Sequence, residues 1–186
     1  MFIEHTLESA PPAARRSIAA TTQHLGYLPA AVARMATAPQ LLDGFLKLSA
    51  AFETTTLDPL AREVVIMTIA TRYECHVCVA MHTAKLTALH ADADLIAALR
   101  AGKPLPDERL AAIRVFTLDV IAGAGVVDDE SWQAFLAHGY TSQNALEVVM
   151  GIGVYTMSTL ANRMTGAPLD CQLQPFAWGA VAPATI

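Results

Sequence analysis

From Asp58 onward the chain is punctuated as a run of helices, and this punctuation constrains the fold more than any other feature. "LDPLAREVVIMTIATRY" opens with Asp58, a helix-capping residue type, and Pro59, whose missing N–H is harmless at the first helical position. Val64, Met67 and the 70–71 region then recur at helical spacing. A second helix is expected from near Cys75 to about Leu89. "DADLIAALRAGKP" is stopped by Gly102 and Pro104, and "DERLAAIRVFTLDVIAGAG" by Gly123 and Gly125. "DDESWQAFLAHG" sets three acids against the positive end of a helix and closes at Gly139. The longest segment, "TSQNALEVVMGIGVYTMSTLANRMTG", runs from a Thr141 or Ser142 cap to Gly166. Gly151 and Gly153 inside it mark close helix packing or a bend.

Three further helical stretches lie upstream: "PAARRSIAATTQHLG", "PAAVARMA" and "PQLLDGFLKLSAAF". No alternating strand pattern, βαβ unit or Gly-rich phosphate loop accompanies them. The expected class is all-α. The length of 186 residues suits a single domain over 1–186, with an N-terminal helical extension (about 1–38) and an irregular tail (about 168–186). "EVVIMTIATRY" from Glu63 and "EVVMGIGVYTM" from Glu147 echo one another, as an old duplication or as chance between two apolar helices.

Charge narrows the partners. The net charge is −5, and no basic run exceeds Arg15-Arg16, which argues against nucleic acid and an anionic membrane surface. Arg, Asp or Gly interrupts each apolar segment before spanning length, and "MFIEHTLESA" lacks a leader pattern. Three cysteines with one CxxC fit a reducing compartment, so a cytoplasmic location is expected. Hydrophobic residues make up 54% and charged residues only 16%. Much of the excess is alanine, so one reading is simply an Ala-rich helical protein; the other, which is the expectation taken here, is apolar surface hidden between copies in a homo-oligomer.

The stretch "YECHVCVAMH" carries the chemistry. Cys75, Cys78 and His82 are spaced by three and then four residues, which stacks them on one helix face. A helix start offers free N–H groups and partial positive charge, both of which favour a thiolate, and by this argument alone Cys75 is the more acidic thiol. Cysteines three apart close a disulfide with little backbone movement. His82 sits one turn beyond Cys78, placed to take and return its proton. Glu63 lies on the preceding helix, and the short "ATRY" link lets it face this column and orient the imidazole. Two other readings remain: a structural zinc site completed by His90 or Glu63, and inert packing of small core residues. Cys171 reads as an ordinary thiol, Trp132 and Trp178 as packing or interface anchors, and the seven methionines as core filler.

Glu63, eleven residues, Cys75-His76-Val77-Cys78, three residues and His82 together resemble the alkylhydroperoxidase AhpD-like branch of the carboxymuconolactone decarboxylase superfamily. "LGYLPAAVARMATAPQLLDGFLKLSAAF" and "PLDCQLQPFAW" are similar to the flanking segments of such proteins, and the likeness covers roughly residues 20–180. The resemblance implies a compact helical AhpD-like domain in a homo-oligomer, a trimer or hexamer. It also implies thiol-dependent reduction of a hydroperoxide without metal or other cofactor, with a dithiol, lipoyl or thioredoxin-like reductant. Carried over by position, Cys78 is the attacking thiol, Cys75 the resolving thiol, and His82 with Glu63 the proton relay. The family's peroxidases carry a histidine just before the second cysteine; here that position is Val77, and a histidine stands at His76. The lyase branch of the superfamily works by acid–base chemistry and needs no cysteine pair. A redox-sensing or zinc-binding helical oligomer is the non-enzymatic counterpart.

Overall fold

A computed structural model describes residues 2–179; the end of the expected tail, 180–186, lies outside the described residues. The order is a 3₁₀ turn (Pro12–Ala14), α1 (Arg15–Leu25), α2 (Ala30–Met35), α3 (Pro39–Phe52), α4 (Pro59–Arg72), α5 (His76–Ala88), α6 (Ala93–Ala101), α7 (Glu108–Ala122), α8 (Asp129–Ala137), α9 (Ser142–Thr165) and a second 3₁₀ turn (Cys171–Phe176). There is no strand among the described residues, and the fold is all-α. No helix among them is long and apolar enough to cross a membrane.

The caps act where the sequence puts them. Asp58 accepts from the Ala61 N–H at 2.9 Å, and Thr141 and Asn144 form a reciprocal capping box at the start of α9. Gly102 and Gly166 close α6 and α9 in the left-handed conformation.

Helix α4 is the axis of the molecule, and α5, α6, α7 and α9 pack around it. Residues 63–70 are all buried, so the middle of α4 has no solvent face. A helix enclosed on every side reads as a continuous apolar run, which is why its periodicity is shallow in sequence. Glu63 is the one charged residue in that run and is 1% exposed.

The α3–α9 contact depends on Gly151. A Cβ there would lie 2.8 Å from Phe52 Cζ and 3.0 Å from Val65 Cγ1, so only glycine lets α9 approach this closely. Gly153, two residues on, faces open space. The paired sequence echo has two fates. Glu63 turns inward, whereas Glu147 accepts from Thr56 and Leu57 and ties the α3–α4 loop to α9.

The link from α4 to α5 is three residues. Tyr73 ends α4, Glu74 takes a left-handed φ of 53°, and Cys75 caps α5. A non-glycine residue there costs roughly 1 kcal/mol of backbone strain. Arg163 of α9 offsets it by donating to the carbonyls of Tyr73 and Glu74. This clamp turns α5 back along α4 and brings both helices' polar residues together.

The tail differs from the irregular segment expected. Residues 171–176 wind into a 3₁₀ turn against α5, with Leu173 buried, and the Trp178 indole donates to the Arg100 carbonyl at 2.9 Å. Three residues per turn over so short a run leave no readable period. The methionines also divide: Met35 and Met67 are core, but Met164 stands 74% exposed on α9.

Candidate active site

Cys75 and Cys78 sit at the first turn of α5 as free thiols, with their sulfurs 2.7 Å apart. The Cys75 sulfur acts as the helix cap and accepts the Cys78 N–H at 3.4 Å. The Cys78 sulfur has more donors. The Thr159 hydroxyl lies 3.5 Å away and the Asn162 carboxamide nitrogen 3.4 Å away, both from α9. Cys78 keeps 7% of its surface open and His82 8%, against 1% for Cys75. The thiol with the most donors therefore also keeps more accessible surface.

The acidities follow from this arrangement. The hydrogen bond from Cys75 does most to hold Cys78 below the ordinary thiol range; burial opposes it, and Thr159, Asn162 and the His82 charge add to it. Cys75 moves up, first because it donates to Cys78 and then because it is buried. Position at the helix start favoured Cys75 as the acidic thiol, and the structure reverses that order. The proton that the cap sulfur gives to its neighbour outweighs the helix-start effect, and the donors from α9 add to it.

His82 Nδ1 meets Glu63 Oε2 at 2.7 Å. With the carboxylate fixing Nδ1–H, the Nε2 atom is left as the base. His82 lies one turn from Cys78, and once Nε2 has taken a proton its charge favours the thiolate across that gap. The Tyr155 ring meets the imidazole edge-on at 5.5 Å, and its hydroxyl lies 3.2 Å from Ser49 Oγ. Burial pushes the Glu63 carboxyl up, but the charge and hydrogen bond of His82 and the nearby Lys85 more than reverse this, leaving it below the usual carboxylate range. Lys85 Nζ lies 3.0 Å from Glu63 Oε1 and also pairs with Glu53, which in turn faces Arg62. Burial draws the Lys85 pKa down, and the two glutamates raise it above its ordinary value.

The structure thus brings together all four predicted residues: Glu63, Cys75, Cys78 and His82. Val77 is buried in the core and His76 is half-buried; the polar partners of the Glu63–His82 pair are each other and Lys85. Tyr140 stacks on Phe135 in the α7–α8 corner, and Trp132 packs beside Phe116. Cys171 is exposed in the C-terminal turn. Among the described residues no three His, Cys, Asp or Glu side chains converge to hold a metal ion. His90 is exposed beyond the end of α5, and Glu63 is already engaged by His82 and Lys85.

Sequence reasoning missed Thr159, Asn162, Lys85 and Tyr155. A signal for three of them was present. Tyr155, Thr159 and Asn162 continue the inward face of α9 set by Val148 and Gly151, so polar groups replace apolar ones on a buried stripe.

With this geometry in view, solved structures show the same arrangement of helices. The AhpD core of an uncharacterized peroxidase-related protein from Ralstonia eutropha JMP134 superposes with a TM-score of 0.80 over 92% of this chain and 93% of that one, at 19% identity. The chain adopts the AhpD-like fold. An uncharacterized peroxidase-related protein from Silicibacter sp. TM1040 gives 0.75 over 92% of each chain at 16% identity. A cysteine-to-alanine variant of the debrominase Bmp8, in complex with 2,3,4-tribromopyrrole, gives 0.68 over 89% of each chain at 17% identity. No family model and no curated protein matches the sequence, so the AhpD-like likeness rests on structure.

Proposed function

We propose that this protein reduces hydroperoxides with the Cys75–Cys78 pair. The observation that carries the reading is the Cys78 sulfur: donors from α9, the Cys75 sulfur 2.7 Å away, and a buried Glu63–His82 pair one turn along. The Cys78 proton passes to His82 Nε2, through one water across the gap. The thiolate attacks the terminal oxygen of R–O–O–H. An S–O bond forms, the O–O bond breaks, and the sulfur becomes a sulfenic acid that keeps the oxygen's hydrogen. The alkoxide leaves and takes the proton from His82, giving ROH. The Cys75 thiol then attacks the Cys78 sulfur, forms the disulfide and releases water. An external dithiol returns two electrons and two protons; a small or lipoyl-type dithiol suits so enclosed a pair. Dithiol-dependent consumption of cumene hydroperoxide tests this. Cys78→Ser should abolish turnover, and equal turnover in that variant would end the reading.

A second substrate belongs in the same assay, because Bmp8, of like fold, is a debrominase. Dithiol-dependent loss of bromide from 2,3,4-tribromopyrrole, with no peroxide turnover, would move the pair's chemistry from peroxide to halide. Turnover of a carboxylactone by the Cys75→Ser, Cys78→Ser double variant would instead favour the acid–base lyase.

We further infer that copies associate through the outer face of α9. Leu146, Val149, Leu160 and Met164 stand exposed along it at helical spacing, opposite the face that holds Thr159 and Asn162. An apolar stripe on so weakly charged a chain fits a second copy of itself. Leu160→Lys with Met164→Lys should lower the mass measured by light scattering; an unchanged oligomer would place the interface elsewhere.

A further inference from the structure

Asn162 carries one of the buried, unpaired polar atoms among the described residues, and it is the one beside the Cys78 sulfur. It is 6% exposed, its Nδ2 faces the Cys78 sulfur at 3.4 Å, and its Oδ1 has no hydrogen-bond partner among the described residues. A buried carbonyl oxygen left unpaired is rare and needs a physical reason. The orientation of the amide follows from chemistry. A thiolate only accepts, so it takes the NH2 end, and the oxygen end is then the free one.

The geometry points to Asn162 Oδ1 as the acceptor for the O–H of the incoming hydroperoxide, an inference that rests on the peroxidase reading above. The two ends of a carboxamide lie about 2.2 Å apart. Oδ1 therefore sits no more than about 5.6 Å from the sulfur, adding that span to the 3.4 Å contact. A peroxidic oxygen in attack position is about 3 to 3.5 Å from sulfur, and an O–H···O bond adds about 2.7 Å. These sum to about 6 Å, so one oxygen atom reaches both groups. The hydrogen bond runs from the oxygen that sulfur attacks, and it fixes the direction of the O–O bond. Asn162 thus has two jobs at its two ends: Nδ2 supports the thiolate and Oδ1 orients the substrate. Thr159 has only the first job, since its hydroxyl is spent on the sulfur. The favoured substrates carry a hydrogen on the reacting oxygen: hydrogen peroxide and alkyl hydroperoxides, not dialkyl peroxides.

Two rate constants separate the jobs. Iodomethane alkylates the Cys78 thiolate and has no hydrogen-bonding group, so it reads the thiolate alone. Hydrogen peroxide reads thiolate and orientation together. Both are measured in single turnover on the reduced Cys75→Ser background, at one pH. Asn162→Leu loses both ends, so its peroxide-to-alkylation ratio should fall about tenfold. Asn162→Asp keeps an acceptor oxygen and loses the NH2 donor, so both rates should fall while the ratio stays within about threefold. Thr159→Val should likewise leave the ratio unchanged. A ratio unaltered in Asn162→Leu, or lowered equally in Thr159→Val, would overturn the inference. If Asn162→Leu does not fold, the isosteric aspartate decides: a tenfold fall in its ratio overturns the inference. A parent protein that alkylates but never reacts with peroxide defeats the peroxidase reading itself, a result distinct from any of these.

Discussion

Lys85→Met tests whether the buried charge cluster is held together as the structure implies. The ammonium lies 3.0 Å from Glu63 Oε1, and the side chain is 39% exposed against 1% for the glutamate. Two charges at that separation attract by roughly 5 kcal/mol at an effective dielectric of about 20. Exposure of the lysine and its lost rotamer freedom reduce the net to about 2 kcal/mol. For a chain of 186 residues this corresponds to a fall in Tm of about 4–8 °C. The pH dependence is the sharper readout. Glu63 has its folded pKa below the unfolded value, so its contribution is fully present above the unfolded pKa near 4.3 and is lost as pH falls through the folded one. Removing Lys85 raises the folded pKa, and the contribution is then lost at higher pH. Urea unfolding at pH 7 and at pH 3.5 should therefore show a gap between wild type and variant that narrows on acidification. Glu53→Gln, which frees Lys85 of its more exposed partner only, should give a smaller effect. A gap of the same size at both pH values would mean that Lys85 contributes packing alone, and the electrostatic account of Glu63 would be wrong.

Two further outcomes follow from the packing and the site. Gly151→Ala should destabilise the protein by about 1–3 kcal/mol, because the new Cβ meets the Phe52 ring at 2.8 Å. Thermal unfolding measures this, and Phe52→Leu in the same chain should recover part of the loss; a neutral Gly151→Ala would show that α9 has room to move. Cys78 alkylation by iodomethane on the Cys75→Ser background should reach half its plateau at higher pH when Thr159 becomes valine, because one donor to the thiolate is gone. Coincident pH profiles would remove Thr159 from the site.

The helices were legible because their ends use local chemistry. Asp58, Thr141, Gly102 and Gly166 act within a turn of their own position, so sequence spacing is enough to place them. The Glu63, Cys75, Cys78 and His82 set was legible for a similar reason: three members share one helix face, and a three-residue link fixes the fourth. Thr159, Asn162 and Arg163 reach the site from a helix some 80 residues away; polar residues on a buried stripe of α9 mark a face, but nothing local says that this face meets Cys78. Lys85, three residues from His82, carries no mark in the sequence of its pairing with the buried Glu63 and with Glu53. The acidity order of the two thiols turns first on which sulfur donates to the other and then on those distant donors, and spacing alone reveals neither. Likewise the enclosed run 63–70 shows only a shallow helical period, since every side meets a neighbour.

The central claim is that Cys78 and Cys75 act as one two-electron unit, and a free-thiol count tests it most directly. One equivalent of hydrogen peroxide should remove two of the three thiols, and dithiothreitol should restore both. Cys75→Ser should lose a single thiol and react with a sulfenic acid reagent instead. Retention of all three thiols in the wild type, or oxidation confined to Cys171, would contradict the account.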